Sequence, residues 1–147
     1  MNMEQQQKRL LVAGAFIIKD NKVLLALREN SSGDNGFYGL IGGKVEIGEP
    51  IHVALIREIE EEVGLLVHPQ DMHMAHVISF RHVDGFDIVS CDFIVTHWGG
   101  NPINKEIRKH AHIAWFDLDN LPSNILPRHK EAFELYKKGV YYSSSGW

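Results

Sequence analysis

The stretch Gly43–Leu65, GKVEIGEPIHVALIREIEEEVGL, decides how the rest of the chain is read. Its second half repeats with a helical period. At ~100° per residue, Leu55, Ile59 and Val63 form one apolar stripe, widened by Ile56, that should face a core. Pro50 suits the start of this helix and Gly64 the position just past its end, so a helix is predicted over 51–63. Glu58, Glu61 and Glu62 are spaced i, i+3, i+4 and share another face. Glu60 points to the opposite side and reads as solvated charge. Three like charges repel by roughly a few tenths of a kcal/mol per pair in water. Clustered carboxylate oxygens are what Mg²⁺ or Mn²⁺ needs. A divalent ion would turn the repulsion into binding, neutralise a diphosphate and lower the pKa of a water that attacks phosphorus.

A Glu-rich helix by itself is more often a solvated face. The residues before it shift that balance. Gly42 and Gly43 let a backbone approach a ligand closely or turn sharply. Gly48 and Pro50 keep residues 44–50 out of a helix. The acidic helix is therefore entered from a tight glycine-bearing loop suited to setting phosphates beside metal. Arg57 can pair with Glu49 or brace the loop.

Outward from this segment the chain reads as one α+β domain. The length of 147 residues fits a single domain. Apolar residues make up 44% and charged residues 23%, which suits one core and argues against global disorder. Residues 1–8 read as a disordered polar tail, 9–140 as the domain and 141–147 as a C-terminal tail. Leu10–Lys19 and Lys22–Arg28 read as a hairpin around Asp20-Asn21. Leu65–Val67, Met74–Arg81, Phe86–Trp98 and Ile113–Phe116 read as strands, with Asp84-Gly85 as a second hairpin turn. Val89, Cys91, Phe93 and Val95 share one strand face. Arg128–Lys138 reads as a terminal helix. There is no repeat and no linker.

The net charge of −4 argues against duplex nucleic acid as a partner, which would need a basic face. A single cysteine, Cys91, permits no internal disulfide and fits a reducing compartment. The apolar run Leu10–Ile18 leads into a second apolar stretch and does not read as a signal peptide. No run reaches the ~18 apolar residues of a membrane helix. The expected setting is the cytoplasm, with no membrane association, as monomer or homodimer.

The segment 43–65 resembles the Nudix box, G-x5-E-x7-R-E-U-x-E-E-x-G-U with U a bulky apolar residue. Gly43, Glu49, Arg57, Glu58, Ile59, Glu61, Glu62, Gly64 and Leu65 fill all nine defined positions, so chance agreement is negligible. The resemblance implies an α/β/α sandwich with a central mixed sheet between helices. It also implies metal-dependent hydrolysis of a nucleoside diphosphate linked to a moiety X. In the family, glutamates matching Glu58, Glu61 and Glu62 ligate the metal, Mg²⁺ or its substitute Mn²⁺. The glycine matching Gly43 can add its carbonyl. Residues matching Glu49 and Arg57 hold the loop and helix in shape, with Gly64 closing the motif. Ile41 replaces the proline common before the two glycines, which should affect only loop rigidity.

Beyond the box, Asn104-Lys105-Glu106, Lys109, Trp115-Phe116 and Asp119-Asn120-Leu121-Pro122 resemble a later family segment, with Ile107 in place of a proline. The Gly146-Trp147 ending resembles a subset of small bacterial MutT-like members. Family members use an acidic residue outside the box to complete the metal site or act as base, and Glu106 is the candidate. Catalysis is thus expected from Glu61, Glu62 and Glu106. Arg28 and Lys44 are candidate phosphate contacts. Phe37, Tyr38, Phe80 and Phe86 are candidates for stacking on a base, although strand aromatics are more often core. His82 is a candidate substrate contact. A zinc pair at His110 and His112 lacks further ligands. Cys91 reads as strand core rather than as a nucleophile.

The substrate expected is a small nucleotide, foremost a (d)NTP, normal or oxidised, cleaved to the monophosphate and pyrophosphate. The alternatives are ADP-ribose, a nucleotide sugar, a dinucleoside polyphosphate or a capped RNA end. A binding module that senses a nucleotide without cleaving it is the rival from another class. The complete set of box carboxylates weighs against it.

Overall fold

The computed structural model describes residues 9–31, 33–82 and 85–147. The proposed tail 1–8 and Asp84 of the second hairpin signal lie outside them. The first strand, β1 (Arg9–Lys19), alternates its side chains across the sheet. Ala13, Ala15 and Ile17 enter one core cluster, while Phe16 enters the other. The chain reverses at Asp20 and Asn21, whose φ values of 52° and 60° give the left-handed pair that a tight hairpin requires. It returns as β2 (Lys22–Arg28). Two short strands follow, β3 (Tyr38–Gly39) and β4 (Ile41–Lys44), then α1 (Ile51–Val63). A hairpin of β5 (Met72–Arg81) and β6 (Asp87–Val95) precedes β7 (His110–Asp117), α2 (Pro127–Lys137) and β8 (Tyr142–Ser145).

The sheet is mixed. Its main order is β3-β2-β1-β6-β5-β8, with β4 also on β1 and β7 also on β2. The pairs β1·β6 and β5·β8 are parallel and the other strand pairs antiparallel. On one face, Leu55, Ile59 and Val63 of α1 pack with Ala15, Ile17, Ile41 and Val95. All three helix residues are fully buried, each stabilising the fold by roughly 1.5–3 kcal/mol of apolar burial. On the other face, Ala132 and Phe133 of α2 pack with Phe16, Leu25, Leu40 and Ile94. A sheet with one helix layer on each side is the α/β/α sandwich expected from the sequence.

The helix bounds agree with the capping argument. Pro50 occupies the N-cap and Gly64 the C-cap, at φ 72°, where its N–H donates to the Glu60 carbonyl. Two expectations need correction. Leu65–Val67 is not a strand; it contributes one bridge, from Leu66 to Gly99. Residues 141–147 are not a tail, because Tyr142–Ser145 pairs with Val77–Phe80. The anchor is His76, fully buried, with Nδ1 3.0 Å from the Val140 carbonyl and Nε2 2.8 Å from Ser143 Oγ. Trp147 Nε1 adds a bond to the Ser79 carbonyl at 3.2 Å. A polar Ser-Ser-Ser strand carries no apolar alternation, so local sequence does not reveal it.

Candidate active site

The loop and helix of 43–65 are locked by one arginine. Arg57 Nη2 lies 2.7 Å from Glu49 Oε1 and its Nε 3.2 Å from Glu49 Oε2, a two-pronged pair. The same Nη2 donates to the Lys44 carbonyl at 3.3 Å, and Nη1 to Glu58 Oε1 at 3.0 Å. Glu61 Oε2 stands 3.4 Å from Nη1. The Arg57 hydrogen bond holds the Glu49 carboxyl below its ordinary range. Glu49 also accepts the Glu46 N–H at 2.9 Å, which closes the turn.

The three candidate metal ligands sit in unlike environments. Glu61 is half exposed. Glu58 is largely covered, and burial raises its pKa against the opposing pull of Arg57. Glu62 is buried, with Oε2 accepting the Gly42 N–H at 3.0 Å. Burial pushes the Glu62 carboxyl up to about 8, the Gly42 bond opposes the shift, and the negative charges of Glu58 and Glu106 add to it. Arg28 acts on Glu62 in the opposite direction.

The two glycines are explained by what a side chain would meet there. A Cβ on Gly43 would stand 2.5–2.7 Å from the carboxyl carbon and both oxygens of Glu58. A Cβ on Gly42 would overlap the Ala13 carbonyl oxygen of β1. The carboxylates are therefore pressed against bare backbone, and the Gly43 peptide lies within reach of any ion that Glu58 holds.

Among the described residues, no three His, Cys, Asp or Glu side chains already converge as a ligand set. In this conformation Arg57 engages Glu58 and Glu61, while the Gly42 N–H engages one oxygen of Glu62. The donor chemistry nevertheless fits a hard divalent cation. It offers three carboxylates on one helix face and a backbone peptide beside them, with no sulfur or imidazole among them.

The outlying candidates are placed unequally. Glu106 is half-buried and its charge reaches Glu62. Its backbone N–H donates to Asn104 Oδ1 at 3.2 Å, and Asn104 Nδ2 in turn donates to the His110 carbonyl at 2.8 Å. Arg28, at the end of β2, donates through Nε to the Gly33 carbonyl at 3.4 Å, and its charge reaches Glu62. Lys44 ends β4, exposed, and lines a shallow groove with Arg9, Val45 and Glu49. Tyr38 packs edge-on against Phe116, Phe80 is core, and Phe86 stacks on His82. His110 is buried, with Nδ1 unpaired, and burial lowers its pKa. Asp92 is fully buried on β6 and Arg128 stands at the start of α2; neither is among the residues the sequence singles out. Asp92 is the one acidic residue within 88–95, two positions after Ser90.

A mixed sheet between two helices carries a carboxylate-bearing helix entered from a glycine loop. The NUDIX domain family model matches residues 8–138. An ADP-ribose pyrophosphatase of Methanocaldococcus jannaschii is 38% identical over 107 residues, covering 73% of this chain and 61% of that protein. An 8-oxo-dGTP diphosphatase of Proteus vulgaris is 35% identical over 106 residues, covering 71% and 90%. The crystal structure of a MutT Nudix hydrolase from Burkholderia pseudomallei superposes with a TM-score of 0.80 at 30% identity, covering 86% and 97%. The chain belongs to the Nudix family. Members of this family generally need a divalent metal ion. No helix among the described residues is long and apolar enough to cross a membrane.

Proposed function

We propose that the chain is a Nudix pyrophosphohydrolase that converts nucleoside triphosphates, normal or oxidised, to the monophosphate and pyrophosphate with Mg²⁺. Mn²⁺ is the expected substitute. The observation that carries this reading is the Glu58–Glu61–Glu62 face set against Gly42 and Gly43 and braced by Arg57 on Glu49. A divalent ion held by the three carboxylates and the Gly43 carbonyl would neutralise the phosphates and lower the pKa of the attacking water. Glu62, buried in the last turn of α1 beside Gly42, is the carboxylate we assign to receive a proton from that water. Glu106 is a second acceptor from outside the helix. Arg28 balances negative charge on the substrate side, and Lys44 screens phosphate that extends past the loop. Gly64 ends the helix so that Glu61 and Glu62 stay in its last turn. The likeness to the Proteus protein, of which this chain spans 90%, supports the triphosphate reading.

A second reading is ADP-ribose hydrolysis, favoured by the 38% identity to the archaeal protein. The single buried thiol of Cys91 suits a reducing compartment, and a cytoplasmic setting belongs to the same proposal. The test is a panel of canonical and oxidised (d)NTPs, ADP-ribose and nucleotide sugars with Mg²⁺, with products quantified. Pyrophosphate release from triphosphates supports the first reading. AMP release from ADP-ribose, with no triphosphate cleaved, replaces it by the second. Glu61→Gln and Glu62→Gln should each lower turnover by orders of magnitude in a folded protein. Near-normal rates in both would overturn the residue roles.

A further inference from the structure

The last turn of α1 ends on carbonyls that the helix itself leaves without donors. The Gly64 N–H serves the Glu60 carbonyl, and the Lys105 ammonium adds a second contact to it at 3.2 Å. A cation is favoured at that end of a helix. The carbonyls of Glu62 and Val63 are met from a distant segment. Lys105 N–H donates to Glu62 at 2.9 Å and Ile103 N–H to Val63 at 3.0 Å. Gly64 keeps the helix end bare enough for this contact, since an added Cβ would stand 3.2 Å from Lys105 Cδ. The segment before β7 is therefore docked on the same turn of helix that carries Glu61 and Glu62.

Residues 101–106 alternate between exposed and half-buried, so Asn104 and Glu106 share the inner side of this segment. Asn104 is bonded through both ends of its amide. Its Oδ1 accepts the Glu106 N–H, and its Nδ2 donates to the His110 carbonyl. Those two backbone groups bracket a single turn, because the Glu106 carbonyl accepts the N–H groups of both Lys109 and His110 at 2.9 Å. The turn is also tied to the chain just past β2, where Glu29 N–H donates to the Lys109 carbonyl at 2.7 Å.

Glu106 thus stands between two fixed points. Lys105 joins it to α1, and Asn104 joins it to the first residue of β7. A side-chain amide suits the second task because it offers a donor and an acceptor without charge. A carboxylate there would add negative charge near Glu106, and an alkyl group would serve neither backbone partner.

We propose that Asn104 is a positioning residue of the active site: its amide bridges the Glu106 N–H and the His110 carbonyl and so sets the Glu106 carboxylate toward the last turn of α1. The proposal rests on the reading of Glu106 as a second proton acceptor. Such a group must stand within hydrogen-bond reach of the water it serves. A displacement of ~1 Å can cost roughly a hundredfold in rate. Asn104 acts through Glu106 and not on the substrate itself.

The experiment is a double-mutant cycle. kcat and KM are measured with Mg²⁺ on dGTP and on ADP-ribose for the wild type, Asn104→Ala, Asn104→Ser, Glu106→Gln and the variant that combines Asn104→Ala with Glu106→Gln. Amide hydrogen exchange is followed in the metal-free proteins. Glu106→Gln should lower kcat about a hundredfold. Asn104→Ala should lower it at least about tenfold, with KM held within about threefold. The combined variant should stay within about threefold of Glu106→Gln, because a displaced group that cannot take a proton has little more to lose. Ser keeps a neutral acceptor for the Glu106 N–H, so Asn104→Ser should remain within about fivefold of the wild type. It keeps the idea testable if the Ala variant does not fold. Exchange of the Glu106 amide should quicken at least about tenfold in Asn104→Ala, while Ile103 and Lys105, held by α1, stay protected.

A normal kcat in Asn104→Ala beside a slow Glu106→Gln overturns the positioning role and leaves Glu106 in place. Losses that multiply in the combined variant, an unchanged Glu106 amide, or an Asn104→Ser rate as low as that of Glu106→Gln overturn it too. A normal rate in Glu106→Gln overturns the reading of Glu106 and the proposal together. A wild type that cleaves neither substrate overturns the hydrolase reading as well.

Discussion

Replacing Asp92 by Asn should change how stability depends on pH, and the size of the change follows from the burial of one carboxyl. The folded-state pKa is about 6, against ~3.9 for an unfolded chain. A raised carboxyl contributes stability that is fully present below the unfolded pKa and is lost as pH rises through the folded one. Over the full window of ~2 units the loss is about 3 kcal/mol, at 1.36 kcal/mol per unit. Between about pH 4.5 and 7.5 it amounts to ~2 kcal/mol, because part of the unfolded-state titration lies below that range. Asn carries no such titration. Its amide occupies the unpaired Oδ2 position and adds a pH-independent cost of ~1–3 kcal/mol for the orphaned N–H. The change of the wild-type minus Asn difference between two pH values removes that constant. Urea melts at the two pH values should therefore show the wild type losing ~2 kcal/mol relative to the variant on going from acid to neutral. As a melting temperature the change is roughly 4–8 °C for a chain of this size. A difference that stays flat with pH, or grows in the opposite direction, would refute the premise that the buried carboxyl ionises at a cost.

The metal site yields three further expectations. Glu62 titrates at about 8 without metal, so a binding ion must displace its proton. Apparent Mg²⁺ affinity should rise roughly tenfold per pH unit up to that value and then level off; calorimetric titrations between about pH 6 and 9 check it. Gly43→Ala would drive a methyl into the Glu58 carboxyl, and should weaken Mg²⁺ binding at least about tenfold while leaving the melting temperature within a few degrees. Arg57→Ala removes the ties to Glu49 and the Lys44 carbonyl. It should cost ~1–2 kcal/mol in urea melts and lower kcat more than KM, as expected when a loop loses its brace.

The local parts of the molecule were legible from periodicity and capping. Helix α1 announces itself through Leu55, Ile59 and Val63, and its ends through Pro50 and Gly64. The Glu49–Arg57 pair was foreseeable because a turn and a helix 8 residues apart must meet again. The long-range parts were not. Nothing near Tyr142–Ser145 says that a buried imidazole 64 residues upstream will hold the approach to that strand. The pairing of Gly14 with Gly42 on β4 and with Asp92 on β6 depends on strand neighbours, which alternation does not encode. Glycines at 14 and 42 look like ordinary turn residues until the strand beside each of them is known. Lys44, a candidate from its adjacency to the glycines in sequence, ends β4 exposed, in a groove with Arg9, Val45 and Glu49.

The pairing of β1 with β6 has a consequence for how the molecule comes into being. Arg9 and Asp87, which meet across this parallel pair, are 78 residues apart. Closing so large a loop must be paid in entropy before any contact rewards it, and such pairings tend to form late. The loop and helix of residues 43–65, by contrast, can assemble from their own neighbourhood. The carboxylate-bearing segment is thus local in sequence, and the sheet it rests on exists only after the chain has found its distant strand. Pulse-labelled hydrogen exchange during refolding should protect Ile59–Val63 amides before those of Cys91–Phe93.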